Sequence, residues 1–101
     1  NNLDLIIFSG QSSNLKAPTI ISVLKSLNFQ KKYEIKKINY IKKRRWNILL
    51  NNNTNLILSE NSPKESLEIF IKIEENLSET EMNNIKSIDL RNINRVLLEY
   101  Y

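Results

Sequence analysis

Two short apolar runs around an asparagine-rich segment constrain the fold of this chain more than any other feature. Trp46, Ile48 and Leu50 lie at alternate positions of one run, which is the pattern of a strand with one face in an apolar core. Residues 51–54 predict a turn, because asparagine tolerates the left-handed backbone conformation that tight turns need. Residues 56–58 are apolar again and return beside the first run. The sequence therefore predicts a β-hairpin over residues 45–58.

A strand and a helix are predicted at the start of the chain. Residues 3–8 form a short apolar run that ends at Ser9-Gly10, which is typical of a buried strand followed by a turn. Apolar residues at helical spacing predict a helix over residues 18–29. Pro18 fits the first turn of such a helix, where its missing N–H is not needed.

A second strand leads into the hairpin. Residues 33–41 are rich in aromatic and β-branched side chains, which favours a strand. The alternation slips between Ile35 and Ile38, and a β-bulge would repair the slip. We expect this strand to continue through residues 45–50.

A helix is predicted over residues 63–76. The Ser62 hydroxyl can cap the Glu65 amide while the Glu65 carboxylate reaches back to the Ser62 amide, which is the capping-box pattern. Ser78 and Glu81 repeat the pattern and predict the start of one further short turn.

The last third of the chain predicts two more strands, over residues 85–90 and 95–101, with a turn at 92–94 between them. The resulting order is β-α-β-β-α-β-β. Because hairpins join neighbouring strands, we expect an α+β fold: an antiparallel β-sheet with two main helices packed on one face.

The chemical inventory argues against catalysis. The 101 residues contain no Cys, no His and a single Gly. Disulfides, thiolate metal sites and imidazole bases are therefore excluded, and a phosphate-cradling glycine loop cannot be built in the usual way. We expect a non-catalytic binding protein without cofactor, metal or small-molecule substrate.

Two sequence features suggest that this chain is part of a longer protein whose membrane anchor lies elsewhere. No run approaches the ~20 apolar residues that span a bilayer. The chain begins with Asn1-Asn2 rather than Met, so we expect a fragment, with any membrane anchor lying upstream.

A basic segment offers an alternative function. The region from Lys31 to Arg45 contains eight Lys and Arg side chains, and Tyr33, Tyr40 and Trp46 lie among or directly beside them. Basic residues with aromatic side chains that can stack on bases are typical of single-stranded nucleic-acid binding. The alternative is therefore a small basic nucleic-acid-binding domain that uses this region.

Three segments in order resemble the extracytoplasmic β-domain of FtsQ/DivIB cell-division proteins. That family has an apolar segment ending in Gly before a helix, a basic pair before a Trp-containing strand and an Asn-rich turn, and an Ile-x-x-Ile/Val-Asp-Leu-Arg segment before a short last strand. The corresponding segments here are Leu3-Asp4-Leu5-Ile6-Ile7-Phe8-Ser9-Gly10, Lys43-Arg44-Arg45-Trp46-Asn47-Ile48-Leu49-Leu50-Asn51-Asn52 and Ile85-Lys86-Ser87-Ile88-Asp89-Leu90-Arg91. Asp4 departs from the Pro that the family often has.

The resemblance implies that residues 1–101 are the distal part of an FtsQ-like β-domain, without the membrane anchor, the POTRA domain and the first β-domain strands. It implies a single-pass inner-membrane protein with this domain on the periplasmic (extracytoplasmic) side. It also implies a divisome scaffold that acts in septum formation, with FtsB/DivIC-like and FtsL-like division proteins as partners.

The last strand is the predicted partner site. A strand at the end of a sheet has one row of unpaired N–H and C=O groups, which is a template for another chain. Val96, Leu98 and Tyr100 alternate with Leu97 and its neighbours, so we expect one set to face the core and the other a ligand. The same strand would instead be structural if another part of the chain covers it.

The resemblance adds basic residues to this site. In the family, a segment of FtsB or DivIC adds a strand at this edge, and basic residues nearby receive an acidic residue of the partner. By position, Arg91 and Arg44 match, with Lys43 beside Arg44; the alternative for Arg91 is a surface ion pair. The full predicted partner site is Arg91, Asn92, Asn94, Arg95, Val96, Leu97, Leu98, Glu99, Tyr100, Tyr101, Arg44 and Lys43.

Overall fold

The computed structural model describes residues 7–10, 13–41 and 45–101. These residues form one six-stranded sheet whose strands lie side by side in the order in which they occur in the chain. The strands are β1 (Ile7–Ser9), β2 (Ile35–Ile41), β3 (Arg45–Leu50), β4 (Asn55–Ser59), β5 (Ile85–Asp89) and β6 (Leu97–Tyr100). The helices are α1 (Ser13–Ser26), α2 (Pro63–Glu74) and α3 (Glu79–Asn83), with a 3-10 turn at Phe29–Lys31.

The sheet is mixed, so the expected antiparallel sheet is corrected. β1 pairs with β2, and β4 with β5, in parallel, while the other three pairs are antiparallel. Each parallel pair has helix between its two strands. A helix carries the chain back to the end where the previous strand began, so the next strand runs in the same direction. The fold is α+β with two parallel joins.

The chain reverses direction between β2 and β3, where the sequence predicted one continuing strand. Ile41 pairs with Arg45, and Tyr40 with Trp46, in an antiparallel ladder. The connection, residues 42–44, contains only basic residues, and it has none of the Gly, Pro or Asn that mark turns. The predicted bulge is confirmed, since the β2 register shifts between Ile35 and Lys37.

The hairpin of β3 and β4 forms as predicted. Trp46 pairs with Leu58, and Ile48 with Leu56. Asn53 takes the left-handed conformation at φ 73°, which is the role expected of asparagine in this turn.

Helix α1 differs from its prediction at both ends. It begins at Ser13 rather than residue 18, so Pro18 lies inside the helix. Pro18 has no backbone N–H, so the helix lacks one intrahelical hydrogen bond close to its first turn. The helix stops at Ser26, because Asn28 turns left-handed at φ 51° and leads into the 3-10 turn.

The two predicted capping boxes have different outcomes. Ser62 makes no side-chain cap at the start of α2; its backbone N–H donates to the Ser59 hydroxyl at 3.2 Å instead. Ser78 does form the box, because its hydroxyl accepts from the Glu81 amide at 3.1 Å and the Glu81 carboxylate accepts from the Ser78 amide at 2.8 Å. Helix α2 ends two residues earlier than predicted, at Glu74.

A single apolar core lies on one face of the sheet. Helices α1 and α2 each add buried side chains to it, and α3 adds Met82, so three helices supply the core rather than the two expected. Strand β6 contributes no buried residue. The buried apolar residues are Ile20, Leu24, Phe29, Ile35, Ile38, Tyr40, Trp46, Ile48, Leu50, Leu56, Leu58, Leu67, Phe70, Met82, Ile85, Ile88 and Leu90.

Candidate docking edge

Strand β6 is the outermost strand of the sheet. It pairs with β5 through Leu97, Leu98, Glu99 and Tyr100. On its other side no strand follows within the described residues, 7–10, 13–41 and 45–101. One row of backbone groups of β6 is therefore unpaired by this sheet.

The direction of the backbone amides follows from the bonds at the end of β6. The Tyr101 N–H donates to the Asn84 carbonyl oxygen at 3.0 Å, toward the β5 side. Backbone groups in a strand alternate between its two sides. Leu98 and Tyr100 therefore direct their N–H and C=O groups outward, away from β5.

The β5 backbone gives the same result independently. The Leu90 N–H donates to the Ile57 carbonyl oxygen of β4 at 2.8 Å, so the alternate residue Asp89 faces β6. Asp89 lies opposite Leu97. Leu97 is thus bonded inward, and its neighbour Leu98 presents its amide to the open side.

Exposed apolar side chains concentrate at this edge. The exposed large hydrophobic residues of the described chain are Ile93, Leu97, Leu98, Tyr100 and Tyr101. Leu97 is 50% exposed and Leu98 39% exposed, although they lie on opposite faces of β6. The expectation that one set of β6 side chains would be buried is therefore wrong. Val96, just before the strand, is the one partly buried apolar residue here that packs on the core.

The exposure of both faces has a simple cause. β6 packs chiefly against β5, and the helices make their main contacts with the other strands. The core face of β6 thus extends past the helix layer. Contiguous exposed apolar surface of this kind marks interaction sites in soluble domains.

Arg91 is already engaged by a carboxylate of its own chain. Its Nε donates to Asp89 Oδ1 at 3.0 Å, and its terminal nitrogen donates to Asp89 Oδ2 at 2.7 Å. The hydrogen bonds from Arg91 lower the pKa of Asp89. A partner carboxylate would have to share this guanidinium, so the surface ion pair considered from the sequence is the arrangement observed.

The other cations of the predicted site are placed differently. Arg95 is exposed at the start of the β6 segment. Arg44 and Lys43 lie outside the described residues. Arg45, which is not among the predicted site residues, begins β3 close enough to Asp89 to lower the pKa of that carboxyl further. Its Nε is buried and has no hydrogen-bond partner among the described residues. Its position directly before Trp46 was the signal that could have found it.

The two asparagines of the predicted site shape the turn before β6. Asn92 Oδ1 accepts a hydrogen bond from the Asn94 backbone N–H at 2.9 Å, and the Asn92 carbonyl accepts from the Arg95 N–H at 3.0 Å. Glu99 is also bonded within the chain, since its carboxylate accepts from the Ser87 hydroxyl at 3.1 Å. These contacts hold β6 against β5.

The basic segment does not present the aromatic surface that nucleic-acid stacking needs. Tyr40 and Trp46 are buried, with ring centres 4.7 Å apart. The Tyr33 hydroxyl donates to Glu74 at 2.7 Å, and burial raises the pKa of this phenol. Lys32 pairs with the same Glu74 at 3.3 Å. The structure therefore favours the edge over the basic segment as the functional surface.

No helix in the described parts of the chain combines the length and the apolar character needed to cross a membrane. This finding concerns residues 7–10, 13–41 and 45–101 alone.

Comparison with known proteins supports the resemblance seen in the sequence. A family model described as "Cell division protein FtsQ/DivIB, C-terminal" matches residues 1–91 of the 101. A search of curated proteins gave no match. The matched segment contains β1 to β5 and ends at Arg91, just before the β6 hairpin. Since the match takes in most of the chain, the protein belongs to the FtsQ/DivIB family of cell-division proteins.

Proposed function

We propose that this domain docks an extended segment of an FtsB/DivIC-like partner, which travels with an FtsL-like protein, as an added strand beside β6. FtsQ/DivIB proteins are membrane-anchored scaffolds of cell division without catalytic activity, so binding is the function to explain. One observation carries the proposal: the outward backbone groups of Leu98 and Tyr100 lie within the cluster of exposed apolar side chains.

The edge supplies both affinity and selectivity for an extended peptide. Main-chain hydrogen bonds to Leu98 and Tyr100 would fix the register of the added strand. Side chains on both faces would contact it, with Leu97 and Glu99 on the face of Asp89 and Leu98 on the core face. Burial of exposed apolar area at about 25 cal/mol per Å² would favour apolar partner residues on either face.

Charge would orient the partner along the edge. Arg95 is exposed, and its side chain makes no hydrogen bond or ion pair within the described residues, so it is the cation of this edge most available for a partner carboxylate. Arg91 can contribute only by sharing Asp89. Arg44 and Lys43 stay predicted members of the site, as do Asn92 and Asn94 through the turn.

The proposal also includes the side of the membrane on which this domain lies. The family resemblance favours an extracytoplasmic position, on the periplasmic side of the inner membrane, for this domain in the full-length protein. Protease added to intact spheroplasts should cleave a tagged full-length protein within this domain. Protection of the domain until the membrane is permeabilised would contradict that position.

A proline at Leu98 tests the added strand directly. Leu98→Pro removes an N–H that faces outward, so the sheet keeps its own bonds while a partner strand loses one donor. We expect peptide binding to be lost while circular dichroism and the thermal midpoint stay close to wild type. The probe is a fluorescent peptide covering the extracytoplasmic segment of the FtsB/DivIC-like protein of the same organism.

Two matched variants separate the backbone from the side chain and from the fold. Leu98→Ala keeps the outward amide, so it should weaken binding less than Leu98→Pro. Leu97→Pro removes an inward amide and should destabilise the β5–β6 pair itself. Undiminished peptide binding by a folded Leu98→Pro variant would refute strand addition at this edge.

A further inference from the structure

The β6 edge lacks the features that protect most edge strands from pairing with other chains. Natural edges are usually blunted by Lys, by Pro, by a bulge or by a covering helix. Residues 97–101 contain no Lys, Pro or Gly, and Glu99 is their single charged residue. The bulge in this pair lies in β5, between Ile85 and Ser87, and leaves β6 itself regular.

We propose that a second copy of this chain occupies this edge when no partner is bound, through a two-fold antiparallel pairing of β6 with β6. The proposal rests on the same open edge as the proposed function, but it names a different occupant and is tested without any partner. The edge fits such pairing because its own sequence is complementary in charge to itself.

Charge selects one register among the two-fold pairings. Centring the pair on Glu99 would place two carboxylates directly opposite each other, which is destabilising. Centring it on Leu98 would place Leu97 opposite Glu99. Centring it on Leu97 places Arg95 of each copy opposite Glu99 of the other, which gives two pairs of opposite charge. The same register places Val96 opposite Leu98. The register centred on Leu97 is therefore the favoured one.

The backbone is compatible with this register. The backbone groups of Leu98 point outward, because they alternate with those of the inward-facing Leu97. Extension of β6 by Val96 would turn the backbone groups of Val96 outward as well, and both residues could then exchange hydrogen bonds with the other copy. The Arg95 N–H is already bonded to the Asn92 carbonyl oxygen of the turn, so the pairing does not need it. Pairing would extend β6 by two residues at its start without breaking a bond of the turn.

The pairing would regulate access to the docking site. Two sheets joined at β6 would form one continuous twelve-stranded sheet, in which the outward groups of Leu98 serve the second copy. A partner segment must then displace that copy. So short a contact buries much less than the ~1,600 Å² of a standard interface, so we expect weak, concentration-dependent association. Confinement to a membrane would raise the effective concentration of the domain and favour the pair.

Complementary charge exchange tests the register. Sedimentation equilibrium should show a concentration-dependent dimer for the wild-type chain. Arg95→Glu and Glu99→Arg should each weaken it by about tenfold or more, because two opposite-charge pairs become like-charge pairs. An equimolar mixture of the two variants should associate again, since both cross pairs are then attractive. Lys64→Glu, an equal charge change on the exposed face of α2, should leave association unchanged.

A second measurement locates the contact. Hydrogen exchange at the Leu98 amide should slow as the protein concentration rises, while exchange at the inward Leu97 amide should change little. A chain that stays monomeric at all concentrations would overturn the proposal, as would a dimer that both charge exchanges leave intact or a mixture that fails to associate. None of these results bears on peptide binding, so failure here and failure of the proposed function are distinguishable.

Discussion

The Tyr101 hydroxyl donates a hydrogen bond of 2.8 Å to the backbone carbonyl oxygen of Asn53, 48 residues earlier in the chain. The backbone N–H of the same tyrosine donates to Asn84. Together these bonds tie the end of β6 to the β3–β4 turn and to the residue before β5. The edge is thus held in an extended conformation before any ligand arrives, which reduces the ordering cost of binding.

We expect Tyr101→Phe to loosen this edge with little effect elsewhere. Loss of the bond to Asn53 should cost about 0.5–1 kcal/mol of unfolding free energy, because the bond is exposed to water. Hydrogen exchange in β6 should accelerate while the exchange of β3 stays unchanged. Tyr100→Phe is the matched control, since the Tyr100 hydroxyl has no hydrogen bond among the described residues. Equal effects of both substitutions would show that the hydrogen bond from Tyr101 to Asn53 does not hold the end of β6.

The Asp89–Arg91 pair predicts a pH dependence in the acid range. The hydrogen bonds from Arg91 hold the pKa of Asp89 below its ordinary value of 3.8. Because the folded-state pKa is lower than the unfolded one, the pair stabilises the fold above pH ~4, and this stabilisation is lost as the pH falls through the folded-state pKa. Arg91→Gln should raise the Asp89 pKa, as followed by the pH titration of its carboxyl carbon in NMR spectra. Arg95→Gln should leave the Asp89 pKa unchanged. An Asp89 pKa that Arg91→Gln also leaves unchanged would contradict the pairing of Asp89 with Arg91.

Ser66→Ala should destabilise the junction of α2 with the sheet. The buried Ser66 hydroxyl donates to the Leu90 carbonyl oxygen at 2.8 Å and accepts from the Ser59 N–H at 3.3 Å. Removing it leaves the buried Leu90 carbonyl and the partly buried Ser59 N–H without this partner, so we expect a loss of about 1–3 kcal/mol in the free energy of urea unfolding. Ser22→Ala, at an exposed position of α1, is the control and should be neutral or slightly stabilising. A Ser66→Ala midpoint equal to wild type would show that the hydroxyl is dispensable.

Gly10→Ala should be destabilising for two reasons. Gly10 has φ 103°, a conformation that side chains rarely adopt, and a Cβ there would overlap the Tyr40 carbonyl oxygen and come within 2.9 Å of Asn39 Oδ1. We expect a loss of more than ~1 kcal/mol in the unfolding free energy. Thermal and urea unfolding measure it, and unchanged stability would mean that the β1–β2 junction shifts to make room.

The sequence predicted what local patterns encode. Trp46, Ile48 and Leu50 are buried at alternate positions, as their spacing indicated, and the slip between Ile35 and Ile38 is a bulge. The pairing of β4 with β5 is parallel, which no local pattern specifies, because strand direction depends on how the intervening helices carry the chain. The start of α1 was missed because the polar residues before Pro18 have the composition of a loop.

The outer position of the last strand was predicted from the sequence, but the burial of its side chains was not. An outer strand near residues 95–101 followed from the order of the elements. Burial of one β6 face did not, because burial depends on how far the helix layer extends over the sheet. No local pattern tells whether the amide of Leu97 or that of Leu98 faces outward. Which amides face outward follows from the bonds of Leu90 and Tyr101, which only coordinates reveal.

The strand order bears on how this protein reaches its native state. Each strand lies beside the one that precedes it in the chain, but residues 10–34 separate β1 from β2 and residues 60–84 separate β4 from β5. Pairings that close short loops form faster than pairings that close long ones, so the three antiparallel pairs can form before the two parallel pairs. Strand β6 joins the sheet only through β5, so the parallel β4–β5 pairing, which closes residues 60–84, is the step that attaches the β6 edge to the rest of the sheet.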